Sequence, residues 1–396
     1  MNHFLSDRIN NMATSATLAM AAKTRELKAQ GRDIIGLSLG EPDFNVPDFI
    51  KEAAIEAIHD NYSSYSPVDG YADLKQAITE KFKRDNNLTY SSNQIVVSTG
   101  AKQSLANVAL VMINPGDEVI LPAPYWVSYS DIVKIAEGVP VEVPTSIDTD
   151  FKMTPSQLEA AITPKTKMLW FSSPCNPSGS VYSREELEAL AVVLRKHPNI
   201  FVVSDEIYEH INFTTSGHVS IAEIDGMYER TITVNGVSKA FAMTGWRIGY
   251  IGAPEWIAKA CTKMQGQITS GANSIAQRAT IAAVKAPVSS IKFMIDEFHK
   301  RRDLVLELLG EIEGFKLNVP EGAFYVFPNI EYFFGKTLRG RLINTAADFS
   351  MYLLEEANVA TVTGEAFGND NCIRISYAAS EVELREAMKR IKESLS

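Results

Sequence analysis

The sequence is poor in cysteine: three in 396 residues. Cys175, Cys261 and Cys372 lie far apart with no C-x-x-C pair, so neither a disulfide framework nor a zinc site is expected, and no metal of any kind is called for. A reducing cytoplasm suits such a chain. Positive charge is also scarce, with 38 Lys and Arg against 48 Asp and Glu and a formal net charge of -10. Neutralising nucleic-acid phosphates takes a basic face, so no nucleic-acid partner is expected. No run of eighteen uncharged apolar residues occurs, and the opening MNHFLSDRINNM lacks a basic start followed by an apolar stretch. Neither membrane spanning nor secretion is expected. Internal repeats and low-complexity tracts are missing as well. What remains is 45 % hydrophobic and 22 % charged, the balance of a globular protein with one large domain and a smaller one, or two comparable domains.

Short apolar runs alternate with amphipathic segments through the first three hundred residues. QIVVS (94 to 98), DEVILP (117 to 122), KMLWFSS (167 to 173), NIFVVSD (199 to 205) and RTITVNG (230 to 236) are rich in β-branched residues and bounded by turn chemistry, which predicts strands buried on both faces. Between them, 100 to 113, 154 to 162 and 183 to 196 carry apolar residues at helical spacing. Thr154 before Pro155, and Ser183 three residues before Glu186, mark helix starts. The alternation predicts an α/β layer architecture with a largely parallel sheet. Beyond about 285 a long charged helix (288 to 312), strand-like FKLNV and GAFYVF, a helix (345 to 357), the strand CIRISYA and a final helix predict a smaller α+β domain. The N-terminal helix TSATLAMAAKTRELKAQG ends at Gly31, a C-cap candidate, and is expected to dock on that later part.

Polar residues collect where the strands end, which is where ligands bind in such sheets. Asp205 and Tyr208 follow NIFVV, Asn176 follows KMLWF, and Lys239 and Arg247 follow the fifth strand. After QIVVS, Gly100 permits a tight turn, and the next helix offers free backbone N–H groups to an anion. Singly each has a structural reading: Asp205 as a helix cap, Asn176 and Gly179 as corner residues, Gly100 as a strand end. Jointly they supply what pyridoxal phosphate needs: an amine to bond its aldehyde, a carboxylate for its ring nitrogen, donors for its phenolic oxygen, and a phosphate cradle.

Eight segments in order, LSLGEPDF, YSPVDGYADLK, STGAKQSL, PAPYWVSY, SSPCNPSG, VSDEIYEH, SKAFAMTGWRIGY and CIRISYA, resemble the fold-type I pyridoxal-phosphate enzymes of the aspartate aminotransferase family, in the class I subgroup common in bacteria. The resemblance implies a large domain (48–285) with a mostly parallel seven-stranded sheet flanked by helices, and a smaller α+β domain from 1–47 and 286–396. It also implies that Lys239 bonds the cofactor and carries the Cα proton, that Asp205 pairs with the ring nitrogen, and that Tyr208 and Asn176 donate to the phenolic oxygen. Trp126 would stack on the ring; Tyr129 reads as an ordinary core aromatic. Arg247 and the backbone of Gly100 and Ala101 would hold the phosphate, with Tyr65 reaching it from the neighbouring subunit of a homodimer with shared active sites.

For the substrate, Arg374 and the backbone at Gly40 are implied to clamp the α-carboxylate, since a guanidinium in an apolar strand needs a planar acceptor; the alternative is a structural ion pair. Lys102 resembles the residue that meets a distal carboxylate, or else is a further phosphate contact, and Ser15 and Thr17 are its supporting hydroxyls, or helix caps. Two positions depart from the pattern: Cys175 before the Asn-Pro pair, and Gly236, which lacks a hydroxyl found in some relatives. The expected reaction is ping-pong transamination between aspartate and 2-oxoglutarate. Rivals are a broader aspartate/prephenate or aromatic aminotransferase, a cysteine-conjugate β-lyase and a ligand-sensing regulator on the same fold.

Overall fold

Strands rich in Val, Ile and Thr form one seven-stranded sheet in this computed structural model, which describes residues 4–10, 12 and 14–395; residues 1–3, 11, 13 and 396 of the expected smaller domain lie outside them. The strands are Ile95–Ser98 (β1), Glu118–Ala123 (β2), Val139–Pro144 (β3), Thr166–Ser172 (β4), Phe201–Asp205 (β5), Thr231–Gly236 (β6) and Gly249–Gly252 (β7). Their order is β1-β7-β6-β5-β4-β2-β3. All neighbours are parallel except β7, which runs antiparallel to β1 and β6. Five of the seven strands match the apolar runs read from the sequence. The central strands β4, β5 and β6 are buried on both faces, as a sheet covered by helices on each side requires, and so is β1 at one edge.

Two strands had no such signature. Residues 139–144 read VPVEVP and are largely exposed; two prolines fit there because β3 is the sheet edge, where a missing N–H costs no ladder bond. β7 is only GYIG, and its glycines are required by proximity. A Cβ on Gly249 would lie 2.1 Å from the Ala101 backbone nitrogen, and one on Gly252 would lie 2.5 Å from the Tyr90 ring. The helices Pro155–Ala161 and Arg184–Arg195 start where their capping boxes place them. The Ser183 hydroxyl accepts from the Glu186 N–H at 3.2 Å, and the Glu186 carboxylate accepts from the Ser183 N–H at 2.8 Å.

In the C-terminal part, Val362–Thr363, Ile373–Ser376 and Tyr325–Val326 form a three-stranded antiparallel sheet in the order written. The charged helix is shorter than expected, Lys292–Gly310, because a 3-10 turn, Val288–Ile291, precedes it. FKLNV is not a strand: Lys316 makes a single bridge with Asn329. The helix expected to 357 is α-helical over Ala346–Tyr352 and then widens into a π turn, Leu353–Ala357. The N-terminal helix spans Ala16–Ala29, with Gly31 at φ 87° just beyond it. It does dock on the later part. Leu27 and Ile34 bury themselves against Leu354 and Ala360, and Ile35–Gly36 pairs in parallel with Val359–Ala360. This brings the chain around Gly40 and Ser15 to the carboxyl ends of β1, β4, β5 and β6. Among the described residues no helix is long and apolar enough to cross a membrane.

Candidate active site

A cavity of about 290 Å³ opens at those strand ends, and twelve of the fourteen residues singled out in the sequence line it: Ser15, Thr17, Gly40, Ala101, Lys102, Trp126, Asn176, Asp205, Tyr208, Lys239, Arg247 and Arg374. Gly100 stands just behind the wall. Tyr65 does not reach the cavity of its own chain and is 99 % exposed.

Lys239 follows β6 in a turn and projects its amine between the rings of Tyr208 and Phe324, 5.8 and 6.0 Å from their centroids. Nζ donates to the Gly40 carbonyl at 2.5 Å. Burial lowers its pKa to about 8, helped by the Arg374 charge and opposed by Glu41. At pH 7 about a tenth of this amine is then neutral, far more than of an ordinary lysine, which makes it a competent nucleophile and proton carrier.

Asp205, the last residue of β5, is buried. Its Oδ2 accepts from the Tyr129 hydroxyl at 2.7 Å and its Oδ1 from the Ile207 N–H at 3.2 Å. Burial raises its pKa to about 6, and the two donors act against that shift. The carboxylate is therefore mostly ionised at pH 7, with hydrogen bonds but in none of the ion pairs among the described residues; the Lys239 charge acts on it only weakly. A protonated ring nitrogen would complete it. Tyr129 is thus a site residue rather than the ordinary core aromatic expected from the sequence; a buried tyrosine three residues after Trp126 still has to place its hydroxyl. Its ring stacks on Trp170 at 5.5 Å and meets Trp126 edge-on.

Arg374 points inward from Ile373–Ser376 and is 2 % exposed. Its Nη1 donates to Asn176 Oδ1 at 2.9 Å and its Nη2 to the Ser38 carbonyl at 2.6 Å, while the buried Nε has no partner. None of the ion pairs among the described residues includes it, against the alternative of a structural ion pair. A buried guanidinium held by neutral acceptors, with a donor to spare, is a receptor for an anion. Burial pushes its pKa down, the direction expected of a cation short of a counter-charge.

At the opposite end Gly100 takes φ +83° as N-cap of the helix Ala101–Met112, aiming that helix's free N–H groups at the cavity. A Cβ there would sit 2.3 Å from Arg247 Nη2, so the glycine makes room for the guanidinium. Arg247 is exposed, adopts the left-handed φ of 58°, and donates from Nη1 to the Thr244 carbonyl at 2.8 Å. Lys102 Nζ lies 4.8 Å from the Trp126 ring centroid, and burial followed by Arg247 lowers its pKa. Ser15 occupies the N-cap position without a side-chain capping bond, and the Thr17 hydroxyl has no partner, so neither serves as a side-chain cap. Cys175 is buried, its thiol pushed up by that burial, with Sγ 3.8 Å from the Pro124 carbonyl. A Cβ on Gly236 would meet the Ile248 carbonyl at 2.9 Å, which accounts for the absence of a hydroxyl-bearing side chain there.

Residues 32–391 match the profile described as aminotransferase class I and II. The chain is 49 % identical over 391 residues to an aspartate/prephenate aminotransferase of Cereibacter sphaeroides, covering 98 % of each. It is 46 % identical to a bifunctional aspartate aminotransferase and glutamate/aspartate-prephenate aminotransferase of Petunia hybrida, covering 99 % of this chain and 82 % of that one. Among solved structures, the aspartate aminotransferase from Rhizobium meliloti superposes with a TM-score of 0.96 at 46 % identity, over 99 % of this chain and 98 % of that one. The Thermus thermophilus enzyme with maleate gives 0.93 at 41 %, over 99 % of both chains.

Proposed function

The chain belongs to the class I and II aminotransferases, and from that premise we propose that it transfers the amino group of L-aspartate to 2-oxoglutarate, with pyridoxal phosphate as cofactor, by a ping-pong mechanism. The observation that carries the reading is the buried Arg374, without a carboxylate partner, opening on the same cavity as Lys239. The residues suit the cofactor: an unpaired carboxylate at one end, a cradle at Gly100 and Arg247 that a Cβ would fill at the other, and an amine between them. When bound, pyridoxal phosphate supplies the aldehyde that carries the amino group and a protonated ring that takes up electron density from Cα.

Each wall residue then has a task. Asp205 keeps the ring nitrogen protonated, and Tyr129 holds that carboxylate in place. Tyr208 and Asn176 would donate to the phenolic oxygen, and Trp126, in the same wall, would stack on the ring. Arg247 with the backbone at Gly100 and Ala101 grips the phosphate. Arg374 takes the substrate α-carboxylate in its fork beside Gly40, and this fixes Cα within reach of Lys239 Nζ, which removes and returns the Cα proton. Lys102, with Ser15 and Thr17, receives the distal carboxylate. Tyr65 completes the phosphate site of the neighbouring subunit in a homodimer; its exposure supports that role. The division into 48–285 and 1–47 with 286–396 is supported by buried clusters centred on the seven-stranded sheet and on the C-terminal elements, the latter also taking in Ile207, Tyr208 and Ile211 where the two parts meet. Three free buried cysteines suit a cytoplasmic setting.

Several relatives are named aspartate/prephenate aminotransferases, which supports prephenate as a second oxo-acid substrate. Half-reactions run separately with aspartate, glutamate, prephenate and tyrosine test the reading. Conversion of aspartate and glutamate is expected; turnover of neither dicarboxylate, or release of pyruvate and a thiol from cysteine conjugates instead, would overturn it.

A further inference from the structure

Tyr325, in the short strand Tyr325–Val326, is fully buried and was not among the residues expected at the site. Its hydroxyl lies 2.7 Å from that of Tyr208. Its ring carries the Arg374 guanidinium, whose carbon is 4.6 Å from the ring centroid. A Cβ on Gly40 would fall 2.1 Å from the same hydroxyl, so this oxygen rests against the backbone whose carbonyl accepts from Lys239. One side chain thus touches the cofactor donor, the carboxylate clamp and the loop that meets the lysine.

We propose that Tyr325 is a positioning residue: its hydroxyl donates to Tyr208 so that the Tyr208 proton is directed at the cofactor's phenolic oxygen, while its ring braces Arg374. The inference rests on the pyridoxal-phosphate reading above and extends it to a residue outside that reading. Two phenols 2.7 Å apart share one hydrogen bond between them. If Tyr208 spends its proton on the cofactor, the proton between the two oxygens must come from Tyr325. A donor on the Tyr208 oxygen polarises its O–H and strengthens the outgoing bond, and in this buried pocket no solvent replaces it. The charged groups nearest Tyr208, Asp205, Lys239 and Arg374, are all retained when only the Tyr325 hydroxyl is removed.

The test is a pH titration of the visible absorption of the holoenzyme. Donation to the phenolic oxygen favours the unprotonated chromophore, so Tyr325→Phe is expected to move the midpoint up by about half a pH unit or more, in the same direction as Tyr208→Phe and by less. In a Tyr208→Phe background, Tyr325→Phe should add nothing. A midpoint unchanged by Tyr325→Phe, or shifts that add fully in the double variant, would overturn the inference. Tyr325→Leu also removes the brace and should raise KM for aspartate several-fold above that of Tyr325→Phe; equal KM values would refute the bracing role. A wild-type protein with no pH-dependent visible band would instead overturn the cofactor reading, and the inference with it.

Discussion

Asp205 shows most directly what the site costs the protein. Burial lifts its carboxyl from 3.8 to about 6. For an acid whose folded pKa is raised, the stabilising share is complete below the unfolded value and is lost as pH climbs through the folded one. Protein stripped of cofactor should therefore lose stability between about pH 4 and pH 6, by an amount on the order of 2 to 3 kcal/mol. Asp205→Asn should abolish that slope, raising the Tm of the stripped protein at pH 7 while cutting transamination by about a hundredfold or more. Calorimetry across pH checks the first effect and steady-state rates the second; a variant that is less stable and keeps full activity would contradict both. The residues legible in the sequence were those whose chemistry contradicts their setting: a lysine and an arginine among apolar neighbours, an acid at the end of an apolar strand. Tyr129 and Tyr325 escaped because an aromatic residue in an apolar stretch satisfies the ordinary core pattern, and only the position of the hydroxyl reveals its use.

The turn 205–210 shows how an element can carry function on one side and anchorage on the other. Asp205 and Tyr208 face the cavity, while Glu206 and Glu209 are buried behind it. Glu206 accepts from Ser204, Ser220 and His218. Glu209 pairs with the buried Lys81 and accepts from Asn86 at 2.6 Å, and Asn86 in turn accepts from Lys81 at 2.7 Å, so the turn is tied to the helix Ala72–Asn86. Burial alone would push the Glu209 carboxyl up, yet Lys81 and His210 beside it hold it well below the usual range. Glu209→Gln leaves the buried Lys81 with only the more distant Asp85 carboxylate, 4.0 Å away, and should cost about 3 kcal/mol in denaturant unfolding. A loss below about 1 kcal/mol would show that water or Asp85 replaces the partner. Elements that carry their own punctuation, such as the capped helices and the β-branched central strands, could be read from the sequence. β7 and the π turn at Leu353–Ala357 could not, because their partners come from distant parts of the chain: Ala101 and Tyr90 against the glycines of β7, and the Arg32 guanidinium donating to the Leu354 and Glu355 carbonyls of the turn.

At the scale of the whole molecule the site draws on both ends of the chain: Ser15, Gly40 and Arg374 meet residues presented by the seven-stranded sheet. Such assembly leaves no local trace, and only the order of the eight matching segments made it legible. The homodimer proposed from Tyr65 predicts complementation. Lys239→Ala and Tyr65→Ala proteins, each nearly inactive, should regain up to about a quarter of wild-type activity when unfolded together and refolded as mixed dimers, since a hybrid places both defects in one site and leaves the other intact. No recovery in a mixture shown to contain hybrid dimers would remove Tyr65 from the shared site. The central claim, a cofactor bonded to one amine, is tested most directly by incubating the protein with pyridoxal phosphate, reducing it with borohydride and locating the adduct by peptide mass spectrometry. The account predicts the phosphopyridoxyl mass on Lys239 alone, lost in Lys239→Ala; an adduct on Lys102 or scattered over surface lysines, with Lys239 unmodified, would contradict it.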